Sequence, residues 1–272
     1  MKKDMIHIKE TLTQDHQARV FTWLEGTNPS EDHNKALKLR EDHTGLWVLR
    51  LAEWKDWISG KEKFLWFHGI PGAGKTVLAS FLIEQAQDFC RQRELSPGHQ
   101  KPTVAVYYYC YFARNQDEAV PCLRWIVSQL CRQSGWMPSE IERLFQLQHL
   151  PSLSQLLLAL ELILKDFEAV FFIVDAVDES QSRLDLLRTL RDLATDHRFD
   201  KIRLLATSRE YYDIETCFSG ISRQVSMDSP MVRDDIRRYV HSSLLSNKRF
   251  QSWPQTLAIE VEEALAKGAK GM

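Results

Sequence analysis

The stretch FLWFHGIPGAGKTVLAS, residues 64–80, decides the fold. An aromatic and apolar run meets a glycine-rich turn at 69–76, and a second apolar run follows it. The turn, GIPGAGKT, matches the phosphate-loop pattern G-x-x-x-x-G-K-[ST] at every specified position. The flanking runs predict a strand before the turn and a helix after it, which is the context in which this pattern binds polyphosphates.

Each specified position of the turn has a chemical reason. Glycine at 69, 72 and 74 permits backbone conformations and close approaches that a Cβ would block, so the N–H groups of the loop can point at phosphate oxygens. Lys75 supplies a mobile charge for the β and γ phosphates, and Thr76 offers a hydroxyl to Mg²⁺. We therefore predict a nucleotide-binding loop made of Gly69, Pro71, Gly72, Ala73, Gly74, Lys75, Thr76 and Val77.

The composition is that of a globular protein without a strong overall charge. The chain has 272 residues, of which 44% are hydrophobic and 26% charged, and its formal net charge is -2. No global field recruits nucleic acid or an anionic membrane, and the basic residues form no stripe with aromatic ones. The longest central apolar run, LLLAL at 156–160, is too short to span a bilayer. Five cysteines without a CxxC pair predict reduced thiols in an intracellular, cytoplasmic protein.

Strand-like and helix-like runs alternate after the first third of the chain. Apolar and β-branched runs predict strands at 63–68, 103–112, 169–175 and 201–208, with amphipathic helices between them. This alternation indicates an α/β domain with a mostly parallel sheet flanked by helices.

The chain divides into three parts on this basis. An N-terminal helix at 13–25 and a polar linker or wrapping loop at 26–45 make up the segment 1–45. The phosphate-loop core follows at 46–227, and a small helical segment, which we expect to be incomplete, occupies 228–272.

The run VFFIVDAVDE, residues 170–179, places three acids at the end of a buried strand. A phosphate loop needs a partner carboxylate on a neighbouring strand, and Asp175 would hold Mg²⁺ directly or through water. Glu179 is the first choice for the base that deprotonates an attacking water, and Asp178 is the second. The alternative is a solvated acidic turn that closes a strand.

A further buried strand ends in the residues LLATSRE, 204–210. If this strand lies beside the phosphate-loop strand, Arg209 could reach the γ phosphate and report whether it is there. The alternative is a surface arginine paired with a nearby acid.

Together, GIPGAGKT, FFIVDAVDE and LLATSRE resemble the NACHT family of STAND NTPases. The small residue Ala176, followed by acids at 178 and 179, has the form of the acidic motif in that family. The upstream stretch, with Thr44, Gly45 and Trp47, is similar to fungal members that carry a TG-x-W segment before the loop. The likeness covers roughly residues 20–272. It is greatest to fungal proteins that join this module to an N-terminal effector and to C-terminal ankyrin or WD repeats.

The resemblance implies a five-stranded nucleotide-binding core followed by a helical domain and a winged helix. It implies ATP or dATP bound with Mg²⁺, slow hydrolysis, and a switch from a closed ADP state to an open ATP state that self-associates. It also implies that Thr44, Gly45 and Trp47 contact the base, whereas we expect Trp54 and Trp57 to pack in the core. No effector domain, repeat array or winged helix is recognisable, so we expect those parts to lie outside this chain.

The leading hypothesis is therefore a weak, Mg²⁺-dependent ATPase that acts as a signalling switch. A nucleotide-binding scaffold with little or no hydrolysis is the main alternative. A P-loop kinase is a third, although the acids at 176–179 suit water activation and no acceptor-binding lid is evident. A GTPase is disfavoured because NKAL at 34–37 precedes the loop and lacks the aspartate of an NKxD motif.

Overall fold

Five strands form a single parallel sheet in the computed structural model, which describes residues 15–96, 100–246, 249–250 and 253–268. The strands are β1 Phe64–His68, β2 Thr103–Tyr109, β3 Ala169–Asp175, β4 Ile202–Ser208 and β5 Arg223–Ser226. Their order is β2-β3-β4-β1-β5, and every pairing between neighbours is parallel. The predicted α/β class with a five-stranded, mostly parallel sheet is confirmed.

Helices connect the strands and cover both faces of the sheet. They are α1 15–24, α2 Ser30–Leu39, α3 Ala52–Ile58, α4 Lys75–Glu94, α5 Ala119–Ser134, α6 Ser139–Gln146, α7 Leu153–Ile163, α8 Leu184–Thr195, α9 Tyr212–Phe218, α10 Pro230–Ser246 and α11 Gln255–Gly268. The predicted strand over 103–112 ends early, at Tyr109, and a short 3₁₀ turn begins at Phe112. The first two residues of the predicted N-terminal helix, 13 and 14, lie outside the described residues.

Two hydrophobic layers pack against the sheet, one on each face, because successive side chains of a strand point to opposite sides. In β1, Phe64 and Trp66 face the layer that contains α5, α7, α8 and α9. Leu65 and Phe67 face the layer that contains α3 and α4. All four side chains are fully buried. The continuous apolar run of β1 is thus that of a strand covered on both faces.

Two tryptophans of α3 lie in the second of these layers. Trp54 and Trp57 are buried, with ring centroids 5.1 Å apart, and the indole N–H of Trp57 donates to the carbonyl oxygen of Leu204 at 2.8 Å. The prediction that they pack in the core is confirmed.

Residues 30–39 form helix α2, where the sequence predicted a linker or wrapping loop. The buried residues of this helix are His33 and Ala36. The His33 ring lies 3.0 Å from the hydroxyl of Tyr109 through Nδ1 and 3.2 Å from the carboxylate of Glu84 through Nε2. The prediction was wrong because this helix packs through a histidine and an alanine, which leave no apolar periodicity in the sequence.

The last two described helices, α10 and α11, pack against each other, and α10 also packs against the core. Nδ1 of His241 on α10 lies 2.9 Å from the carboxylate of Glu262 on α11. Val232 of α10 is buried in the same layer as α4. The division of the chain at 45 and 227 stays a prediction. The five cysteines are free thiols, four of them buried. Within the described residues, every helix is too short or too polar to cross a membrane.

Candidate functional site

The glycine-rich turn joins β1 to α4 at the carboxyl edge of the sheet. Gly72 and Gly74 have φ angles of +80° and +78°, a left-handed conformation that glycine adopts without strain. At Gly69 the constraint is space, because a Cβ there would lie 2.7 Å from the Cβ of Met227. Glycine is therefore required by the backbone at two positions and by a close neighbour at the third. The first N–H groups of α4, which lack intrahelical partners, face this loop.

Lys75 lies at the first position of α4 and folds back onto the loop. Its Nζ donates to the carbonyl oxygens of Gly69 and Ile70, at 2.7 and 2.8 Å. Burial lowers the pKa of the Lys75 ammonium, while the negative charges of Asp178 and Asp175 act in the opposite direction. The lysine therefore sits inside the loop and within the field of the acids that follow β3.

Asp175 ends β3 and is only 2% exposed. The hydroxyl of Thr207 donates to Oδ1 of Asp175 at 2.5 Å and accepts the N–H of Ala176 at 3.0 Å. Burial raises the pKa of Asp175 to about 6, and hydrogen bonds from Thr207 and Thr76 act against that rise. The carboxyl group is thus held beside the hydroxyl at the start of α4.

The sequence predicted that the strand ending in Asp175 is a direct neighbour of the phosphate-loop strand, and this prediction was wrong. Strand β4 lies between them and pairs with both. Asp175 still lies at the edge where the loop lies, because the carboxyl ends of parallel strands share one edge. Strand order is set by the packing of the whole sheet and is not encoded in any single strand. Arg209 follows β4, which pairs directly with β1. This is the arrangement in which the sequence predicted that Arg209 could reach the γ phosphate.

The turn after β3 places two acids in different surroundings. Asp178 has a side chain that is 4% exposed; its Oδ2 lies 3.1 Å from Nε of Arg209, and its Oδ1 accepts the Arg209 N–H at 2.9 Å. Glu179 accepts the backbone N–H of Phe112 at 3.3 Å, and burial raises the pKa of its carboxyl group. Asp178 thus positions Arg209, and Asp178, Glu179 and Arg209 all line a polar cavity of about 450 Å³.

A second cavity, which we call the base cavity, adjoins the loop on the side of α10 and has a volume of about 370 Å³. Its lining residues are Leu39, Arg40, Glu41, Thr44, Gly45, Trp47, Gly72, Ala73, Gly74, Val77, Leu78, Phe81, Met227, Val232, Asp235, Ile236 and Tyr239. The three predicted base contacts and four of the predicted loop residues are among them. Pro71 is exposed and does not line this cavity.

Asp235 of α10 is a cavity residue that the sequence argument missed. Its Oδ2 accepts the N–H of Gly45 at 2.6 Å, although the two residues are 190 positions apart in the chain. The sequence predicts an aspartate that caps a helix before Ile236, whereas α10 already begins at Pro230 and Asp235 lies inside it. No local pattern connects that helix with the TG-x-W segment.

Comparison with known proteins gives a family, a relative and a solved structure that this chain resembles. The family described as Nephrocystin 3, N-terminal, matches residues 43–209. The chain is 23% identical over 220 residues to the vegetative incompatibility protein HET-E-1 of Podospora anserina, a match that covers 77% of this chain and 15% of that protein. The solved structure of the Aeropyrum pernix ORC1 protein in complex with DNA has a TM-score of 0.50 and 13% identity, covering 86% of this chain and 64% of that one. The chain thus spans less than two thirds of each relative, and the likeness to ORC1 shows the fold alone.

Proposed function

We propose that this protein is a nucleotide-dependent switch. The premise is that the chain belongs to the Nephrocystin 3 N-terminal family and is a NACHT-like P-loop NTPase. It binds ATP or ADP with Mg²⁺ and hydrolyses ATP slowly. The observation that carries the proposal is the meeting of Lys75, Asp175 and Arg209 at one edge of the sheet. Each lies at or after the carboxyl end of a different strand, and Lys75 lies in the electrostatic field of the other two.

The donor set at this edge fits Mg²⁺, a hard cation that takes oxygen ligands. The hydroxyl of Thr76 lies close enough to the carboxyl group of Asp175 to act on the pKa of that group. Within the part of the chain that the structure describes, no three His, Cys, Asp or Glu side chains converge as a metal cage. The remaining ligands would therefore be phosphate oxygens and water, as in other P-loop NTPases. When bound, the ion would neutralise charge on the β and γ phosphates.

The residues of this chain have separate tasks in the proposal. Lys75 gives up its hydrogen bonds to the carbonyl oxygens of Gly69 and Ile70 and donates to phosphate oxygens instead. Its positive charge then stabilises the negative charge of the ligand. Glu179 takes the proton of the attacking water, a task that a raised pKa favours. Arg209, positioned by Asp178, contacts the γ phosphate and distinguishes ATP from ADP.

The switch in this proposal is the position of α10. This helix supplies Val232, Asp235, Ile236 and Tyr239 to the base cavity, so the base end of a nucleotide would contact the helical tail directly. A ligand shifts an equilibrium only through different contacts in the two states. Loss of the γ phosphate would release Arg209 at one end of the site, and α10 would respond at the other. We propose that self-association follows the ATP state.

Three measurements on the purified protein test this function. Mass spectrometry identifies the nucleotide that co-purifies, and a phosphate-release assay with Mg²⁺ or EDTA measures turnover. We expect ADP or ATP in the protein, slow release with Mg²⁺ and none with EDTA. Light scattering with a non-hydrolysable ATP analogue should give a larger particle than with ADP. A protein that neither carries nor binds any nucleotide would contradict the proposal.

A nucleotide-binding scaffold with little or no hydrolysis is the second candidate, and one feature of the site favours it. Arg209 is bound to Asp178, Glu179 accepts a backbone N–H, and Lys75 is bound to loop carbonyls. A site whose charged groups are all satisfied by the protein suits retention of a nucleotide more than turnover. Tightly held ADP without measurable phosphate release would support the scaffold and exclude the ATPase.

A further inference from the structure

We propose that Asp235 on α10 is the specificity-determining residue of the base cavity, and that this cavity takes a purine carrying an exocyclic amino group. The inference deepens the proposed function and rests on it, since it concerns the base of the same nucleotide. It starts from a contrast within the cavity, where the carboxylate of Asp235 stands beside apolar side chains. The other carboxylate of the lining, Glu41, accepts the hydroxyl of Ser242 at 2.7 Å.

Two donors hold the Asp235 carboxylate in place. Oδ2 accepts the N–H of Gly45 at 2.6 Å, and Oδ1 accepts a guanidinium N–H of Arg238 at 3.1 Å. The side chain of Trp47 also acts to lower the pKa of this group. The side chain is 15% exposed, so these contacts fix its direction as well as its charge.

The carboxylate keeps acceptor capacity after these contacts. Its two oxygens offer about four lone-pair sites, of which the hydrogen bonds from Gly45 and Arg238 use two. Because Asp235 lines the base cavity, the remaining capacity is available to a ligand there. Burial raises the pKa of the Asp235 carboxyl group, whereas the Gly45 N–H and Arg238 favour its charged form.

The rest of this wall suits a flat aromatic ring. Leu78 and Phe81 of α4 line the cavity together with Val232 and Ile236 of α10 and with Met227. These side chains can bury a base but cannot tell one base from another, because apolar contact is not directional. The hydrogen-bonding edge of the base would be read by the carboxylate. A base without a donor at that edge would leave a desolvated acceptor unpaired, which lowers the affinity for that base.

The test uses two matched pairs of nucleotides that differ only in the amino group. Purine riboside triphosphate is ATP without the N6 amine, and inosine triphosphate is GTP without the N2 amine. In the wild-type protein, removal of the amine from the preferred base should weaken binding about tenfold or more, as expected for a hydrogen bond to a charged acceptor. The two pairs also show whether the base is adenine or guanine.

Asp235→Asn assigns the effect to one residue. The amide keeps an oxygen for the N–H of Gly45 but replaces the other acceptor by an NH₂ donor, so the tenfold difference within the pair should fall to about onefold. Asp234→Asn is the matched control. Its side chain is 64% exposed and lies 3.5 Å from Arg237, so the variant should keep the wild-type ratio.

The outcomes separate the inference from the function on which it rests. Equal affinities within both pairs in the wild-type protein would overturn the role of the amino group, while the proposed function would stand as long as ATP binds. An undiminished ratio in Asp235→Asn would overturn the role of this residue. If no nucleotide binds to the wild-type protein, both are wrong. The wild-type comparison holds even if a variant fails to fold.

Discussion

The hydroxyl of Thr207 links the carboxyl group of Asp175 to the backbone that follows it. It donates to Oδ1 of Asp175 at 2.5 Å and accepts the N–H of Ala176 at 3.0 Å. Thr207 is fully buried, so water cannot replace either contact. The side chain that we propose as a Mg²⁺ ligand is thus oriented by its neighbour on β4, in the way that outer partners orient metal ligands.

Thr207→Val should raise the Mg²⁺ concentration needed for ATP binding by about 10- to 100-fold, the usual effect of removing an outer partner of a metal ligand. Valine has nearly the shape of threonine but lacks the hydroxyl. Calorimetric ATP titrations at a series of Mg²⁺ concentrations measure the effect. Thr207→Ser keeps the hydroxyl and is the control that should bind as the wild type does. A purely structural role would lower stability in Thr207→Val and leave its Mg²⁺ requirement unchanged.

Asp175→Asn should stabilise the metal-free protein near neutral pH. The folded-state pKa of Asp175, about 6, lies above its ordinary value of 3.8, so protonation of this group favours the folded state. That contribution is fully present below 3.8 and is lost as the pH rises through about 6. A difference of about two units corresponds to roughly 3 kcal/mol at most.

Urea denaturation in EDTA, at several pH values across this window, measures the free energy of unfolding. The wild-type value should fall relative to that of Asp175→Asn as the pH rises. Parallel pH profiles for the two proteins would show that the burial of Asp175 does not perturb its titration. The asparagine keeps an oxygen for the Thr207 hydroxyl, so the hydrogen bond itself is retained in the comparison.

Glu179→Gln should retain ATP and slow its hydrolysis by about 10²- to 10⁴-fold, the range expected for loss of a general base. The amide can still accept the N–H of Phe112, so the turn after β3 should keep its shape. Single-turnover phosphate release measures the chemical step. Glu215→Gln, on the exposed side of α9, is the control. Unaltered phosphate release in Glu179→Gln would remove Glu179 from the role of base.

The sequence predicted the phosphate loop and the ends of β3 and β4 because each is a local pattern. The phosphate loop is one continuous stretch that contains an apolar run, the glycines, Lys75 and Thr76. Asp175 and Arg209 each come at the end of an apolar run. The parallel sheet then brings these separate patterns to one edge. Their proximity could therefore be predicted without knowing the strand order.

Features that depend on contacts between distant segments could not be predicted in this way. Helix α2 packs through the polar ring of His33, whose partners, Tyr109 and Glu84, come from β2 and α4. Asp235 meets Gly45 across 190 positions of the chain. Neither contact leaves a periodic or spaced signal in the sequence.

Arg209→Ala should lower the affinity for ATP and leave that for ADP nearly unchanged, because only ATP carries the γ phosphate. Asp178→Asn should change the ratio of the two affinities in the same direction but less, since it removes one charge of the pair that positions Arg209. Competition binding with ATP and ADP measures the ratio.

Arg198→Ala is the matched control for that experiment. Arg198 also pairs with an aspartate, Asp196, at 2.8 Å, but this pair precedes β4 and lies at the opposite edge of the sheet. The ratio of ATP to ADP affinity should stay at the wild-type value in this variant. An equal loss of ATP and ADP affinity in Arg209→Ala would show that the arginine does not sense the γ phosphate.

The calorimetric titration of Mg²⁺-ATP into the wild-type protein and into Lys75→Ala tests the central claim most directly. The variant removes the ammonium group that bridges Gly69 and Ile70, and it leaves the rest of the loop sequence unchanged. We expect binding to the wild-type protein and no detectable binding to Lys75→Ala. An ATP affinity in Lys75→Ala equal to that of the wild type would contradict the account.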